Sequence, residues 1–265
     1  MHIDLAGRVA IVTGGGRGIG RTLVLRLAEE GVSTVTLDIN RADLDALAAD
    51  LPPGGPPSSQ LVCDVSDPEQ VRTAVDDTVR EYGRIDILVN NAGVAGGGPI
   101  ESLPIERWRA CHSVNLDGTF LMCQAVVPVM KRQGSGRIIN ASSYAAITPS
   151  VFGTAYASSK AAVAHFTRAL AGELGPWNIT VNAYAPGMIP TDMNHFTERS
   201  PEQQERLLDL LTLRRWGSAD DIANLVCFLA SDQAGYITGT LIDVSGGKLA
   251  TQLPRVAYDW ARRAT

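Results

Sequence analysis

A hydroxyl, a phenol and an ammonium set the chemistry available to this 265-residue chain. Tyr156 and Lys160 stand four residues apart at the start of a predicted helix, Tyr156 to Leu174, and that spacing puts both side chains on one face. A phenol near its unperturbed pKa of about 10 is a poor base at neutral pH, but a neighbouring ammonium favours the phenolate. Tyr156 could then exchange a proton with an alcohol or a carbonyl. Ser143, just after a predicted strand, could hold the substrate oxygen as charge develops there. Taken alone, a Tyr-x-x-x-Lys pair also fits a surface helix with a half-buried tyrosine, and Ser142 competes with Ser143 because both follow the same strand.

A second group of residues speaks of phosphate. Thr13-Gly14-Gly15-Gly16-Arg17-Gly18-Ile19-Gly20 follows the first predicted strand and opens a helical pattern, with spacing G-x-x-x-G-x-G. Glycine lets backbone pass close to a pyrophosphate, while the unpaired N–H groups and dipole of the helix attract anions. Asp38 ends the second predicted strand about 20 residues further on, where a carboxylate can accept from the adenosine ribose hydroxyls. It would repel a 2′-phosphate, which favours NAD over NADP, although Arg17 and Arg41 could accommodate the phosphate. The alternative is that Asp38 caps the loop before Arg41. Asp64, in Cys63-Asp64-Val65 at the end of the third strand, could accept the adenine amino group or serve as a cap. A cationic nicotinamide would further favour phenolate at Tyr156.

These groups need a scaffold, and the pattern supplies one. Short β-branched runs at Val9 to Val12, Thr34 to Leu37, Gln60 to Cys63, Ile85 to Val89, Arg137 to Asn140, Thr180 to Ala183 and Leu241 to Val244 alternate with helical patterns. The helical patterns cover Ile19 to Glu30, Ala42 to Asp50, Pro68 to Tyr82, Ile105 to Lys131, Tyr156 to Leu174 and Ser218 to Ala230. Such alternation predicts an α/β fold with a parallel seven-stranded sheet, doubly wound with helices on both faces. Leu51 to Ser59, rich in Pro, Gly and Ser, reads as a surface loop. Met188 to Leu213, carrying Leu207, Leu208, Leu210, Leu211 and Leu213, is expected to act as a lid over a ligand crevice at a strand's carboxyl end. The tail from Lys248 to Thr265 carries Tyr258 and Trp260, to be buried by a neighbouring subunit or packed on its own domain. No repeat or linker divides residues 1–265, so one domain is expected.

Composition narrows the partners. A net charge of -5 and the absence of a Lys/Arg-rich run argue against nucleic acid and anionic membranes, leaving a small organic substrate. Met1 to Ala6 lacks a secretion signal, and no stretch approaches the ~18 apolar residues of a membrane span, so a soluble cytoplasmic protein is expected. Cys63, Cys111, Cys123 and Cys227 include no C-x-x-C pair and read as buried free thiols. His112, His165 and His195 have no metal-ligand spacing. Only His195, beside Phe196 in the lid, is a candidate substrate contact. Tyr144 and Tyr184 could face the substrate or pack in the core, with packing the favoured reading.

The chain resembles the short-chain dehydrogenase/reductase family from Gly7 to about Gly247. The motifs are Thr13 to Gly20, Asn90-Asn91-Ala92-Gly93, Val114-Asn115-Leu116, Ser142-Ser143, Tyr156-Ala157-Ser158-Ser159-Lys160 and Pro186-Gly187-Met188-Ile189-Pro190-Thr191. The resemblance implies a Rossmann-type fold and gives Tyr156 the proton, Ser143 the substrate oxygen, and Lys160 the nicotinamide ribose and the lowering of the tyrosine pKa. Asn115 completes a tetrad by supporting a proton relay, and is otherwise a helix-kink residue. The thirteen-residue interval to Tyr156 selects Ser143 over Ser142. Asn91, Ala92 and Gly93 would line the cofactor, with Asn90 a structural turn. Ile189 and Thr191 would contact the carboxamide, unless Thr191 only caps its loop. The implied cofactor set is thus Gly14, Arg17, Gly18, Ile19, Gly20, Asp38, Asp64, Val65, Asn91, Ala92, Gly93, Tyr156, Lys160, Pro186, Gly187, Ile189 and Thr191.

The expected activity is reversible hydride transfer between NAD(H) and a secondary alcohol or ketone, with a leucine-rich lid hinting at an apolar substrate. Alternatives are an NADPH-dependent reductase of 3-oxoacyl thioesters, opposed by Asp38, and a non-catalytic NAD-binding sensor, opposed by the intact tetrad. A structural subunit has only the tail in its favour. The resemblance also implies a homo-oligomer, tetramer or dimer, built through the long helices.

Overall fold

The computed structural model describes residues 3–191, 193–194 and 196–264. Strands β1 (Val9–Thr13), β2 (Ser33–Asp38), β3 (Ser58–Val62), β4 (Ile87–Asn90), β5 (Gly136–Ala141), β6 (Ile179–Pro186) and β7 (Leu241–Val244) form a seven-stranded sheet in the order β3-β2-β1-β4-β5-β6-β7. All neighbouring pairs are parallel. Helices α1 (Gly18–Glu29), α2 (Arg41–Asp50), α3 (Pro68–Tyr82), α4 (Ile105–His112), α5 (Gly118–Gln133), α6 (Thr154–Leu174), α7 (Pro201–Leu208), α8 (Ala219–Ala230) and α9 (Arg255–Ala264) connect or follow them.

The apolar pattern explains why helices cover both faces. Successive side chains of a strand point to opposite sides. In β1, Ala10 and Val12 join Leu23, Val24 and Leu27 of α1 and Ile222 and Val226 of α8 in one core layer. Ile11 enters the opposite layer with Val71 and Val75 of α3 and Met122 and Val126 of α5. Chain order reverses between β1 and β4, and their carboxyl ends, Thr13 and Asn90, open the crevice where ligands of such sheets bind. Four free cysteines, Cys63, Cys111, Cys123 and Cys227, are buried. Among the described residues no helix is long and apolar enough to cross a membrane.

Three expectations need correction. The segment Ile105 to Lys131 is not one regular helix: Ser113–Asp117 forms a π turn between α4 and α5, in which the Gly118 N–H reaches the Ser113 carbonyl. Such wide turns concentrate at functional sites, and here the turn carries Asn115. The edge strand β3 begins at Ser58, inside the stretch expected to be loop, because Ser58 pairs with Thr34 and their hydroxyls bond at 2.8 Å. Strand β4 starts two residues later than expected; the buried Ile85 before it is held by the Gln133 side chain.

The tail packs partly on its own chain. Lys248 pairs with Leu211, Leu249 N–H donates to the Leu210 carbonyl at 2.9 Å, and Tyr258 donates to the Thr212 carbonyl at 2.9 Å. Trp260 is 71% exposed, so only one of the two tail aromatics is covered within the chain.

Candidate active site

The glycine turn runs from β1 into α1. A Cβ on Gly20 would lie 2.0 Å from the Gly14 carbonyl oxygen, so only glycine lets the helix sit so close to the turn. The Arg17 side chain does not cap α1, whereas Asn40, Asp67 and Ser218 cap α2, α3 and α8. First-turn N–H groups of α1 are therefore available to an anion. The turn is held from β4: Asn91 Nδ2 donates to the carbonyls of Gly14 at 3.0 Å and Thr13 at 3.2 Å. Thr13 Oγ1 accepts from the N–H groups of Asn91 and Ala92, both at 3.0 Å, and the buried Tyr184 hydroxyl donates to Asn91 Oδ1 at 3.1 Å.

Asp38 both lines the crevice and organises its loop. Its carboxylate accepts from Gly16 N–H at 3.0 Å and Asn40 N–H at 3.1 Å, which fixes it beside the glycine turn. Arg17 is largely exposed, with Asp43 at 4.0 Å. Asp64 also has a local duty, accepting from the Ser66 backbone and hydroxyl on Oδ1 at 2.9 and 2.7 Å, next to the crevice wall formed by Val65.

At the other end of the crevice stand Ser143, Tyr156 and Lys160. Ser143 accepts from Ala145 N–H at 3.1 Å, and its hydroxyl favours the phenolate form of Tyr156. Ser142 instead donates to the Lys160 carbonyl at 2.8 Å. Lys160 is buried, its Nζ donating to the Ala141 carbonyl at 2.8 Å and lying 5.8 Å from the Tyr156 ring centroid. Burial pulls the Lys160 ammonium down to about 8. The protein alone pushes the Tyr156 phenol up, because desolvation outweighs the effect of the Ser143 hydroxyl. In the protein alone, burial of the phenol outweighs the expected lowering of the tyrosine.

Asn115 is completely buried behind this row and does not line the crevice. Its Nδ2 donates to Ser159 Oγ at 2.9 Å and the Val94 carbonyl at 3.1 Å, and its Oδ1 accepts from Val94 N–H at 2.8 Å. A Cβ on Gly93 would come 3.1 Å from Asn115 Oδ1 and 3.3 Å from Lys160 Nζ, so Gly93 leaves space in front of both. Asn90 is structural, bridging β4 to Asn140 on β5 at 2.9 Å.

Every other expected site residue lines the same crevice, including Gly14, Gly18, Ile19, Ala92, Pro186, Gly187, Ile189 and Thr191. Thr191 is also clasped by Asn194, which donates to its hydroxyl at 3.0 Å. His195 lies outside the described residues. Sequence reasoning gave no role to Thr13 or Ser159, though both lie in its motifs, missed Asn194, and favoured packing for Tyr184. Thr13 had a legible signal, a hydroxyl at the strand end beside the glycine turn, whereas Asn194 sits in an irregular segment with none.

A family model described as enoyl-(acyl carrier protein) reductase matches residues 14–248. The chain is 40% identical to a 3-oxoacyl-[acyl-carrier-protein] reductase of Thermotoga maritima over 244 residues, 92% of this chain and 98% of that protein. It is 36% identical to a 7alpha-hydroxysteroid dehydrogenase of Escherichia coli over 246 residues, 93% and 96% of the two chains. The fold resembles that of an NAD+-bound xylitol dehydrogenase with a TM-score of 0.88, at 32% identity, covering 92% of this chain and 100% of that one.

Proposed function

The chain belongs to the short-chain dehydrogenase/reductase family of NAD(P)-dependent oxidoreductases acting on CH–OH groups, and from that premise we propose an NAD-linked enzyme for a secondary alcohol or ketone. The observation that carries this reading is the meeting of Ser143, Tyr156 and Lys160 with the glycine turn along one crevice. The cofactor suits the groups present: the first turn of α1 and the glycine turn would take the pyrophosphate, and the Asp38 carboxylate would take the adenosine ribose hydroxyls. Ile189 and Thr191 would meet the carboxamide.

When bound, the nicotinamide supplies or accepts the hydride. Ser143 holds the substrate oxygen, and Tyr156 gives it a proton during reduction or removes one during oxidation. Lys160, anchored on the Ala141 carbonyl, holds the ribose and places positive charge beside the phenol. Asn115 positions the crevice wall, and a lid formed by residues 188–213 excludes water over an apolar substrate. The whole chain then works as one domain in the cytoplasm, where four unpaired thiols are at home, and assembles as a homo-oligomer.

A second reading, an NADPH-dependent reductase of 3-oxoacyl thioesters, is favoured by the Thermotoga relative. Asp38 opposes it, since a fixed carboxylate beside the ribose repels a 2′-phosphate. Fluorescence titration with NADH and NADPH, repeated on Asp38→Ala, separates the two. Tighter NADH binding that Asp38→Ala erodes supports the proposal; an NADPH preference supports the second reading, and binding of neither nucleotide contradicts both.

A further inference from the structure

Lys248, just past β7, sits where three segments meet. Its carbonyl accepts from the Tyr144 hydroxyl, and its backbone pairs with Leu211 at the base of the 188–213 segment. Its Nζ stands over the Tyr144 ring, 5.0 Å from the centroid. Tyr144 is buried and immediately follows Ser143. The ammonium is therefore fastened between the turn that presents the serine and the segment proposed to close over it.

Among the described residues this cation has no counterion. Among the described residues, Lys248 has no ion pair and Nζ no hydrogen bond; the Tyr144 ring is its polar contact. Half-burial lowers its pKa, with no acid to offset the desolvation. Arg214, on the neighbouring segment, is instead neutralised by Glu205 and Asp209. An aromatic face attracts an ammonium but leaves its three N–H donors without acceptors. A carboxylate arriving from outside would supply both the acceptors and the missing charge.

Neither Lys248 nor Tyr144 lines the crevice itself; the cation borders its substrate end through Tyr144, the neighbour of Ser143. Of the charged crevice residues, Arg17, Asp38 and Asp64 belong to the glycine-turn end, and at the catalytic end stands Lys160, its Nζ donating to the Ala141 carbonyl. The crevice wall also includes the exposed Val94 and Met193, and Ile147, Val151 and Phe152 stand exposed on the loop joining the two catalytic residues. Phe152 is held at φ +64, a conformation costly for an aromatic residue, with its carbonyl pinned by Gly98 N–H at 2.8 Å and its ring in solvent.

We propose that Lys248 is an anion-recognising residue of the substrate site, and that the substrate is an amphipathic alcohol or ketone: an apolar skeleton with a carboxylate remote from the reacting oxygen. This rests on the dehydrogenase reading above. The test uses the full-length protein saturated with NADH and a panel of alicyclic, aromatic and long-chain carboxylates, each beside its methyl ester, with affinities read by calorimetry. At least one carboxylate should bind about tenfold or more tightly than its ester. Lys248→Met should reduce that affinity to the ester's level, and Lys248→Arg should keep the preference. Equal binding of acids and esters, binding of no carboxylate, or a preference that survives Lys248→Met overturns the proposal. NADH binding, measured first in the same samples, keeps the outcomes apart: its absence overturns the dehydrogenase reading, whereas its presence without a carboxylate preference overturns this inference alone.

Discussion

The Asn115 side-chain amide donates to Ser159 Oγ at 2.9 Å, and the Ser159 hydroxyl donates in turn to the Tyr156 carbonyl at 2.8 Å. The π turn is thereby tied to the backbone of the residue proposed to move the proton. Ser159→Ala should lower stability by about 1–2 kcal/mol, the cost of losing a buried hydrogen-bond partner. It should also lower turnover by about tenfold, because a misplacement of the reacting group is costly, while NADH affinity holds. Thermal unfolding and steady-state kinetics measure the two; unchanged turnover would show that the link is only structural.

Glycines of this chain divide by what surrounds them. An added methyl at Gly20 meets the Gly14 carbonyl oxygen at 2.0 Å, whereas at Gly172, inside α6, it meets nothing within 4 Å. Gly20→Ala should therefore destabilise by about 1–3 kcal/mol through overpacking and weaken NADH binding by displacing the phosphate turn. Gly172→Ala should stabilise by about 0.5–1 kcal/mol, by removing helix-interior glycine. Melting curves of both variants, with and without NADH, check the contrast.

Lys160 makes stability depend on pH in a defined direction. Its folded value of about 8 lies below the ordinary lysine value of 10.5, so between these the unfolded chain keeps a proton that the folded chain has released. Stability from this group must rise with pH across that window. Below it both states are charged and the folded state carries the whole burial penalty, up to about 3 kcal/mol. Lys160→Met has no such titration. The variant's stability relative to the parent should fall by roughly that amount between pH 8 and 10.5, read by denaturant unfolding without nucleotide. A difference independent of pH would contradict the assignment.

The main architecture was legible because strand and helix periodicities differ and glycine marks the phosphate turn. Other features were hidden for physical reasons. One extra residue in a helical turn leaves the apolar rhythm of 105–131 nearly intact, so beyond the helix-kink reading of Asn115 the π turn itself left no signal. Ser58 looked like loop because an edge strand needs pairing on one side only and tolerates hydroxyls. Packing was favoured for Tyr184 because a buried tyrosine in a strand reads as core until the partner of its hydroxyl, Asn91, is located. Ser142 and Ser143 were separable only through a family interval, and the Ser142 bond to the Lys160 carbonyl left no trace in the pattern.

The central claim is that Tyr156 moves the proton while hydride passes between nicotinamide and substrate. Its most direct test follows reduced nicotinamide when the protein is mixed with NAD and a panel of secondary alcohols, for the parent and for Tyr156→Phe. Removing a general acid–base group should cost about 10²–10⁴-fold in turnover, with NADH affinity and melting temperature nearly unchanged. Turnover by Tyr156→Phe close to that of the parent would contradict the account.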